Sequence, residues 1–337
     1  MIILSFLACR IYKETDSNGV KSTLRRIERM HLDELSPGDL VVRVHYSGVN
    51  YKDALAATGR GAILKHFPLN AGIDLAGVVV SSSDPRFAPG QAILVNGCGL
   101  GESHDGGLAE FARIPSDWAI PLPQGLSMKQ AMIIGTAGFT AGLAIHRMLS
   151  NGQNHDLGPI VVTGASGGVG SMAISILSTL GFDTIAVSGR ENFYQYLSDL
   201  GANRVCSAAQ LALSERPLDK VEFGGAIDNV GGQLLSQILA HTQLWGNVAS
   251  IGLADTHQFN SSVFPMILRG VSLLGVSSTN CPMPLRKEIW SRLATDLKPL
   301  SLDKILAEEV ALKDVSAVFN PLLDRKRYGR TIVKCLT

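Results

Sequence analysis

Paired cysteines are missing from this 337-residue chain. The five present, Cys9, Cys98, Cys206, Cys281 and Cys335, are scattered, odd in number and never two residues apart. That spacing argues against a disulfide framework and against a structural zinc site. The expectation is five reduced thiols in ordinary positions. An excess of charge is missing too: 30 Lys and Arg face 29 Asp and Glu, a net charge of +1. No overall field therefore draws nucleic acid or a membrane surface, and neither is expected as a partner. No apolar run reads as long enough to span a bilayer. Met1 to Ala8 is apolar but lacks a basic leader, and it runs into Cys9-Arg10-Ile11-Tyr12 without a small-residue cleavage site. It reads as a first β-strand rather than a signal peptide, which makes the cytoplasm the expected compartment. Internal repeats and low-complexity tracts are absent as well.

What the chain has is apolar material for sizeable cores, 46% hydrophobic residues, at a length suggesting two domains. Up to about residue 125 it is rich in strands and turns. Short segments such as Leu40-Val41-Val42-Arg43-Val44, Ala76-Gly77-Val78-Val79-Val80, Ala92-Ile93-Leu94-Val95 and Leu108-Ala109-Glu110-Phe111-Ala112 recur. Turn signals punctuate them, among them Ser36-Pro37-Gly38-Asp39 and Leu122-Pro123-Gln124-Gly125. This predicts an irregular β-barrel domain. From Ser127, which with Gln130 reads as a helix start, helix and strand alternate.

The sharpest motif lies in that second region. Val161-Val162-Thr163 leads into Gly164-Ala165-Ser166-Gly167-Gly168-Val169-Gly170, and an apolar helical pattern follows through Met172, Ile176 and Leu180. A strand, a glycine-rich turn and a helix N-terminus suit a pyrophosphate. Glycine permits close backbone approach, and the helix end offers free N–H groups. The spacing is Ala165-x-Gly167-x-x-Gly170, with alanine where the strict fingerprint has its first glycine. A second strand, Thr184-Ile185-Ala186-Val187, completes a βαβ unit of roughly 30 residues. The alternative is a tight turn that binds nothing.

The end of the second strand bears on the cofactor. A site for NAD usually carries Asp or Glu there, about 20 residues on, to hold the ribose hydroxyl. This chain has Ser188-Gly189-Arg190. A hydroxyl and a guanidinium suit a 2′-phosphate, so NADPH is expected over NADH. Glu191 is the competing acidic residue; it reads as first-turn punctuation of the next helix. Further strands, Ala226 to Val230, Gly246 to Ile251 and Val271 to Val276, should end at the same crevice, bringing Ser166, Ser188, Val230, Gly252, Leu253 and Ser278 to one side. Met283 to Leu297 reads as a helix and Thr331 to Lys334 as a last strand.

With these residues in view, the chain resembles the medium-chain dehydrogenase/reductase superfamily. Narrower stretches, among them Val49-Asn50-Tyr51-Lys52-Asp53-Ala54-Leu55, Ala71-Gly72-Ile73-Asp74-Leu75-Ala76-Gly77, Gly106-Gly107-Leu108-Ala109-Glu110, Gly135-Thr136-Ala137-Gly138-Phe139-Thr140-Ala141 and Ser188-Gly189-Arg190, resemble the acrylyl-CoA reductase branch of its zinc-independent quinone oxidoreductases. The resemblance runs from about Leu40 to the C-terminus. It implies an α/β protein in which a GroES-like irregular β-barrel catalytic domain, 1–125, precedes a Rossmann doubly wound parallel-sheet NADPH domain, 126–279, and the chain returns to the catalytic domain over 280–337. It also implies a homodimer, for which the apolar strand Val271 to Val276 is the expected edge.

The resemblance further implies cofactor contacts from Tyr51, Ser166, Gly167, Gly168, Val169, Ser188, Gly189, Arg190, Arg204, Leu253, Ile267 and Ser278. Tyr51 and Asn50 are the implied catalytic residues, with Asp53 a structural hydrogen-bonder. No metal is expected. Zinc relatives of this fold place a cysteine just after Gly48-Val49, where this chain has Asn50-Tyr51-Lys52-Asp53, and a His-Glu pair where it has Ala71-Gly72-Ile73-Asp74. His104, near Cys98, reads as a loop histidine. Without a Lewis acid the expected reaction is hydride transfer from NADPH to the activated C=C bond of a short enoyl-CoA, acrylyl-CoA to propanoyl-CoA, with the protein supplying orientation and electrostatics. A quinone is the alternative substrate, and a non-catalytic NADPH-binding protein is the alternative class. The tract Arg325-Lys326-Arg327 reads as a solvated charge run, with a CoA phosphate as the other possibility.

Overall fold

The computed structural model describes residues 5–336. The chain folds into two compact units, one of residues 1–136, 279–287 and 306–337, the other of residues 137–278 and 288–305.

The first unit holds two sheets. Strands β1 (Phe6–Thr15) and β2 (Lys21–Met30) form a long antiparallel hairpin, and β1 also pairs with β4 (Leu69–Asn70). Asp16 closes the hairpin turn by accepting from the backbone N–H groups of Asn18 and Val20. The larger sheet is built on β3 (Leu40–Val49), β5 (Asp74–Ser82), β6 (Ala92–Asn96), β7 (Phe111–Ile114), β8 (Ile120–Pro121), β15 (Leu306–Ala311) and β16 (Arg330–Lys334). Its order is β15-β16-β3-β5-β6-β8, with β7 also on β3. Its core gathers Val42, Val44, Leu75, Val79, Ile93, Val95 and Val333, the inward positions of alternating strands. Residues 1–4 of the expected first strand lie outside the described residues; β1 extends seven residues past Ala8.

The second unit holds a six-stranded parallel sheet of β9 (Ile160–Thr163), β10 (Thr184–Val187), β11 (Arg204–Cys206), β12 (Phe223–Asp228), β13 (Thr242–Ser250) and β14 (Ser272–Gly275). Its order, β11-β10-β9-β12-β13-β14, is the doubly wound one, reversing direction between β9 and β12. Every residue of β9, β10 and β12 is buried, as continuous apolar strands covered on both faces must be. The expected Rossmann sheet is therefore present.

Two expectations need correction. The helix Met128–Ser150 is long and apolar enough to cross a membrane by length and composition, yet 78% of its apolar window is buried inside the protein, so it is a core helix. It starts at the predicted Ser127: Ser127 N–H donates to Gln130 Oε1 and Gln130 N–H to Ser127 Oγ. It is broken at Gly135, whose φ of 48° and ψ of −157° are open only to glycine. The second correction concerns 280–337. Only Thr279–Lys287 and Leu306–Thr337 cluster with the first unit, while Glu288–Ile305 belongs to the second. There Trp290 stacks on Phe139, and Leu293 packs closely on Gly142, its Cδ2 3.0 Å from where a Cβ would stand.

Candidate functional site

In the second unit the expected site residues gather near the carboxyl ends of β9, β10, β12 and β13. Helix Gly168–Thr179 begins there, capped by Gly167 without a side-chain hydrogen bond. Gly170 is obligatory: a Cβ on it would stand 2.6 Å from Ala165 Cα and from the carbonyl oxygens of Gly164 and Ala165. The loop is thus folded tightly on itself, with the helix N–H groups at its mouth. Beside it, Thr163 Oγ1 donates to Asp228 Oδ1 at 2.6 Å, and Asp228 also accepts from Gly231 N–H at 2.8 Å. Asn229 returns two bonds to Thr163, from its backbone N–H and its carboxamide. These bonds tie together the two strands that flank the switch point. Burial raises the Asp228 carboxyl above its ordinary range, and the bonds from Thr163, Gly231 and Val230 oppose the rise.

At the end of β10, three predicted residues meet. Ser166 and Ser188 hydroxyls lie 3.1 Å apart, Arg190 Nη2 donates to Ser166 Oγ at 2.6 Å, and Arg190 N–H donates to Ser188 Oγ at 3.2 Å. The Arg190 guanidinium also covers the Phe193 ring at 4.6 Å. Open space lies where a Gly189 side chain would be. Glu191 opens a short 3-10 turn, Glu191–Phe193. Two hydroxyls and a guanidinium therefore converge on one spot. The other expected contacts are more dispersed. Gly252 packs on Asn229, whose carbonyl oxygen would be 2.4 Å from a Cβ there. Leu253 and Ile267 are exposed apolar side chains, at 66% and 71%. Arg204 is exposed and donates to the Gln210 carbonyl at 3.3 Å. Ser278 lies three residues beyond β14.

In the first unit, Asn50 ends β3's run and precedes the helix Tyr51–Thr58. Tyr51, the first helical residue, is 51% exposed, so its phenol is open to a ligand. Asn50 is buried and doubly held: its Nδ2 donates to Asp74 Oδ2 at 2.7 Å and its Oδ1 accepts from Arg330 Nη1 at 3.0 Å. Arg330 also donates to the carbonyls of Val49 and Ile133. Asp74 accepts from Thr136 N–H at 2.9 Å and from its hydroxyl at 2.5 Å. The break at Gly135 releases that N–H. Asp53 accepts from Asn50 N–H and Ile73 N–H. Burial, then the nearby Asp74, pushes the Asp53 carboxyl up to about 7, against the pull of those bonds. Burial lowers the Arg330 guanidinium, while Asp74 and Asp53 raise it.

Asp74 and Thr136 stand inside the sequence motifs with no role assigned to either, and Arg330 is a residue that sequence reasoning misses. One signal is available: a lone aspartate in the apolar run Ile73-Asp74-Leu75-Ala76 is expensive to bury without partners. Lys52 makes an ion pair with Glu102 at 2.8 Å and donates to Thr279 Oγ1 at 3.1 Å. His104 is buried, its Nε2 on the Pro37 carbonyl and its ring edge-on to Trp118. Arg327 is ion-paired with Glu308, so the basic tract is not wholly solvated. Among the described residues, no three His, Cys, Asp or Glu side chains are grouped to hold a metal ion.

Residues 36–124 match the alcohol dehydrogenase GroES-like domain family, and residues 168–295 match the zinc-binding dehydrogenase family. The probable acrylyl-CoA reductase AcuI of Escherichia coli is 46% identical over 93% of this chain and 96% of its own length. YhfP of Bacillus subtilis, which bears the name of a quinone oxidoreductase, is 42% identical over 98% of each chain. Its solved structure, with NAD bound, superposes with a TM-score of 0.94, covering 98% of this chain and 99% of that one. The YhdH oxidoreductase of Salmonella enterica, solved with NADP, is 45% identical with a TM-score of 0.91, covering 96% and 99%.

Proposed function

The chain belongs to the medium-chain dehydrogenase/reductase superfamily, and from that premise we propose that it is a zinc-independent, NADPH-dependent enoyl-CoA reductase converting acrylyl-CoA to propanoyl-CoA. The observation that carries the cofactor is the meeting of Ser166, Ser188 and Arg190 beside the glycine turn. A guanidinium and two hydroxyls match the charge and acceptors of a 2′-phosphate. The tight loop at Gly170 and the helix start at Gly168 suit the pyrophosphate. The substrate class follows from the name of the Escherichia coli relative, and the quinone alternative from that of YhfP.

The chemistry that NADPH supplies when bound is hydride donation to the β-carbon of the activated C=C bond. Electron density then rests on the thioester oxygen as an enolate, and a proton must reach the α-carbon. The exposed Tyr51 phenol is our candidate to hold that proton or to donate a hydrogen bond to the enolate oxygen. Asn50, at the head of the same helix, fixes where that helix begins. Asp53 spends both carboxylate oxygens on backbone N–H groups, a structural role.

Homodimerisation through β14, the free edge of the parallel sheet, belongs to the same proposal. Exposed apolar side chains, Trp245, Val263, Ile267 and Leu268 among them, lie on the segments around that edge. The cytoplasm remains the proposed compartment, on the ground that all five cysteines are free. The deciding experiment follows NADPH absorbance with acrylyl-CoA and with a benzoquinone. Turnover of acrylyl-CoA supports the reading; turnover of the quinone alone replaces it, and no oxidation with either points to a binding protein.

A further inference from the structure

We propose that Asp74 and Arg330 are a positioning pair for the reaction, acting through the Asn50 carboxamide. The proposal rests on the reading of Asn50 and Tyr51 as the head of the reactive helix.

The pair is built as a clamp rather than as an ordinary ion pair. Arg330 Nη2 stands 3.8 Å from Asp74 Oδ2, beyond hydrogen-bond reach, and is buried without a hydrogen-bond partner. The Asn50 amide bridges the two groups, its NH₂ on the carboxylate and its oxygen on the guanidinium. Only this orientation is electrostatically allowed. A flipped amide would set NH₂ against guanidinium and oxygen against carboxylate, four groups mismatched at once. All of this is buried: Asn50, Asp74 and Arg330 are 8%, 0% and 4% exposed. In such surroundings the two charges dictate the flip far more strongly than they would in water.

Two glycines keep the clamp open. A Cβ on Gly48 or on Gly135 would come within 3 Å of both Arg330 Nη2 and Asp74 Oδ2. The helix break at Gly135 also delivers the Thr136 N–H to Asp74. Three separate stretches, the end of β3, the broken helix and the start of β16, thus converge on one amide. What that amide controls is local. Asn50 is the residue from which the helix starts, so its carboxamide orientation and backbone set the direction in which Tyr51 leaves. A purely stabilising pair would not need a neutral amide between its charges, since buried ion pairs contribute little net stability over apolar replacements.

The test separates stability from positioning. Single variants Asp74→Asn and Arg330→Gln each strand a buried charge and should lower the melting temperature. The double variant Asp74→Asn/Arg330→Gln strands none and should recover much of that loss. Its single-turnover rate with NADPH and acrylyl-CoA should stay at least 10-fold below wild type, with NADPH affinity by fluorescence titration within twofold. A rate that recovers in step with melting temperature would overturn the proposal. Should the double variant not fold, Arg330→Lys decides. It keeps the charge but not the planar fork that serves Asn50, Val49 and Ile133 together. Its rate should fall at least 5-fold, and a wild-type rate would overturn the pair's role. Failure of wild type itself to reduce acrylyl-CoA would instead refute the enoyl-CoA reading.

Discussion

Arg190 Nη2 donates to Ser166 Oγ at 2.6 Å, joining the end of β10 to the glycine turn after β9. The guanidinium also lies over the Phe193 ring, 4.6 Å from its centroid. On the proposed function, a 2′-phosphate would gain a charge-assisted contact there that NADH cannot make. Arg190→Ala should weaken NADPH binding by about 1.5–3 kcal/mol, roughly 10- to 150-fold. NADH binding should change little. Calorimetric titration of both cofactors checks this, and equal wild-type affinities for the two would remove the argument.

The donors at Asn50, Asp53 and Asp74 are committed to one another, to Arg330 and to backbone N–H groups. A divalent ion there would have to displace a guanidinium. Prolonged dialysis against a chelator should therefore leave turnover unchanged, and elemental analysis should find zinc well below one equivalent. A stoichiometric ion whose removal abolishes activity would show a ligand set that this reading misses.

Much of the parallel sheet was legible because buried parallel strands are continuous apolar runs. Thr184–Val187 needed no context to be seen, and glycine spacing located the turn beside it. The strand Lys21–Met30 was illegible. Its sequence, KSTLRRIERM, has little apolar alternation, and it is held by the ladder to β1 and by cross-strand pairs such as Arg26 with Glu14. The site shows the same divide. Ser166, Ser188 and Arg190 sit in two adjacent loops, so their meeting follows from the βαβ unit. The partnership of Asn50 with Arg330, 280 positions apart, depends on β16 pairing with β3. No local pattern encodes that pairing. Arg286 is similar: fully buried, it donates to the carbonyls of Asn96 and Thr279, a role its own segment does not announce.

The edge strand β14 bears on assembly. It is short, and the Asn151 carboxamide steadies it through Ser272. In the neighbouring strand β13, Trp245 is 72% exposed, a large apolar surface for a monomer to leave in water. Light scattering at micromolar concentration should report a dimer. Trp245→Glu should shift it toward monomer while leaving NADPH affinity within about twofold. A wild-type monomer at that concentration would count against the edge as an interface.

Tyr51→Phe isolates the phenol hydroxyl from the ring. If the hydroxyl donates to the enolate or its proton, turnover of acrylyl-CoA should fall on the order of 10²-fold. NADPH affinity should be nearly unchanged, because the ring stays. An unaltered rate would dismiss the proton role and leave Tyr51 a packing surface.

Asp53 supplies a pH signature that is independent of turnover. Its folded-state pKa of about 7 lies above the ordinary carboxyl value, so the native state binds the proton more tightly than the unfolded chain. Below about pH 4 both states hold the proton, and its contribution is fully present. Between about pH 4 and 7 the unfolded chain loses the proton first, and stability falls as pH rises. Above about 7 the native carboxyl ionises too and the loss levels off, a total on the order of 4 kcal/mol. Asp53→Asn is neutral throughout and keeps one acceptor for the two N–H groups. It should be less stable than wild type at pH 5, and the gap should narrow steadily by pH 7.5. Urea denaturation at four pH values between these limits measures the gap. A gap that stays constant across this range would mean that Asp53 is already ionised in the native state at pH 5, stabilised by the N–H groups of Asn50 and Ile73 against its burial.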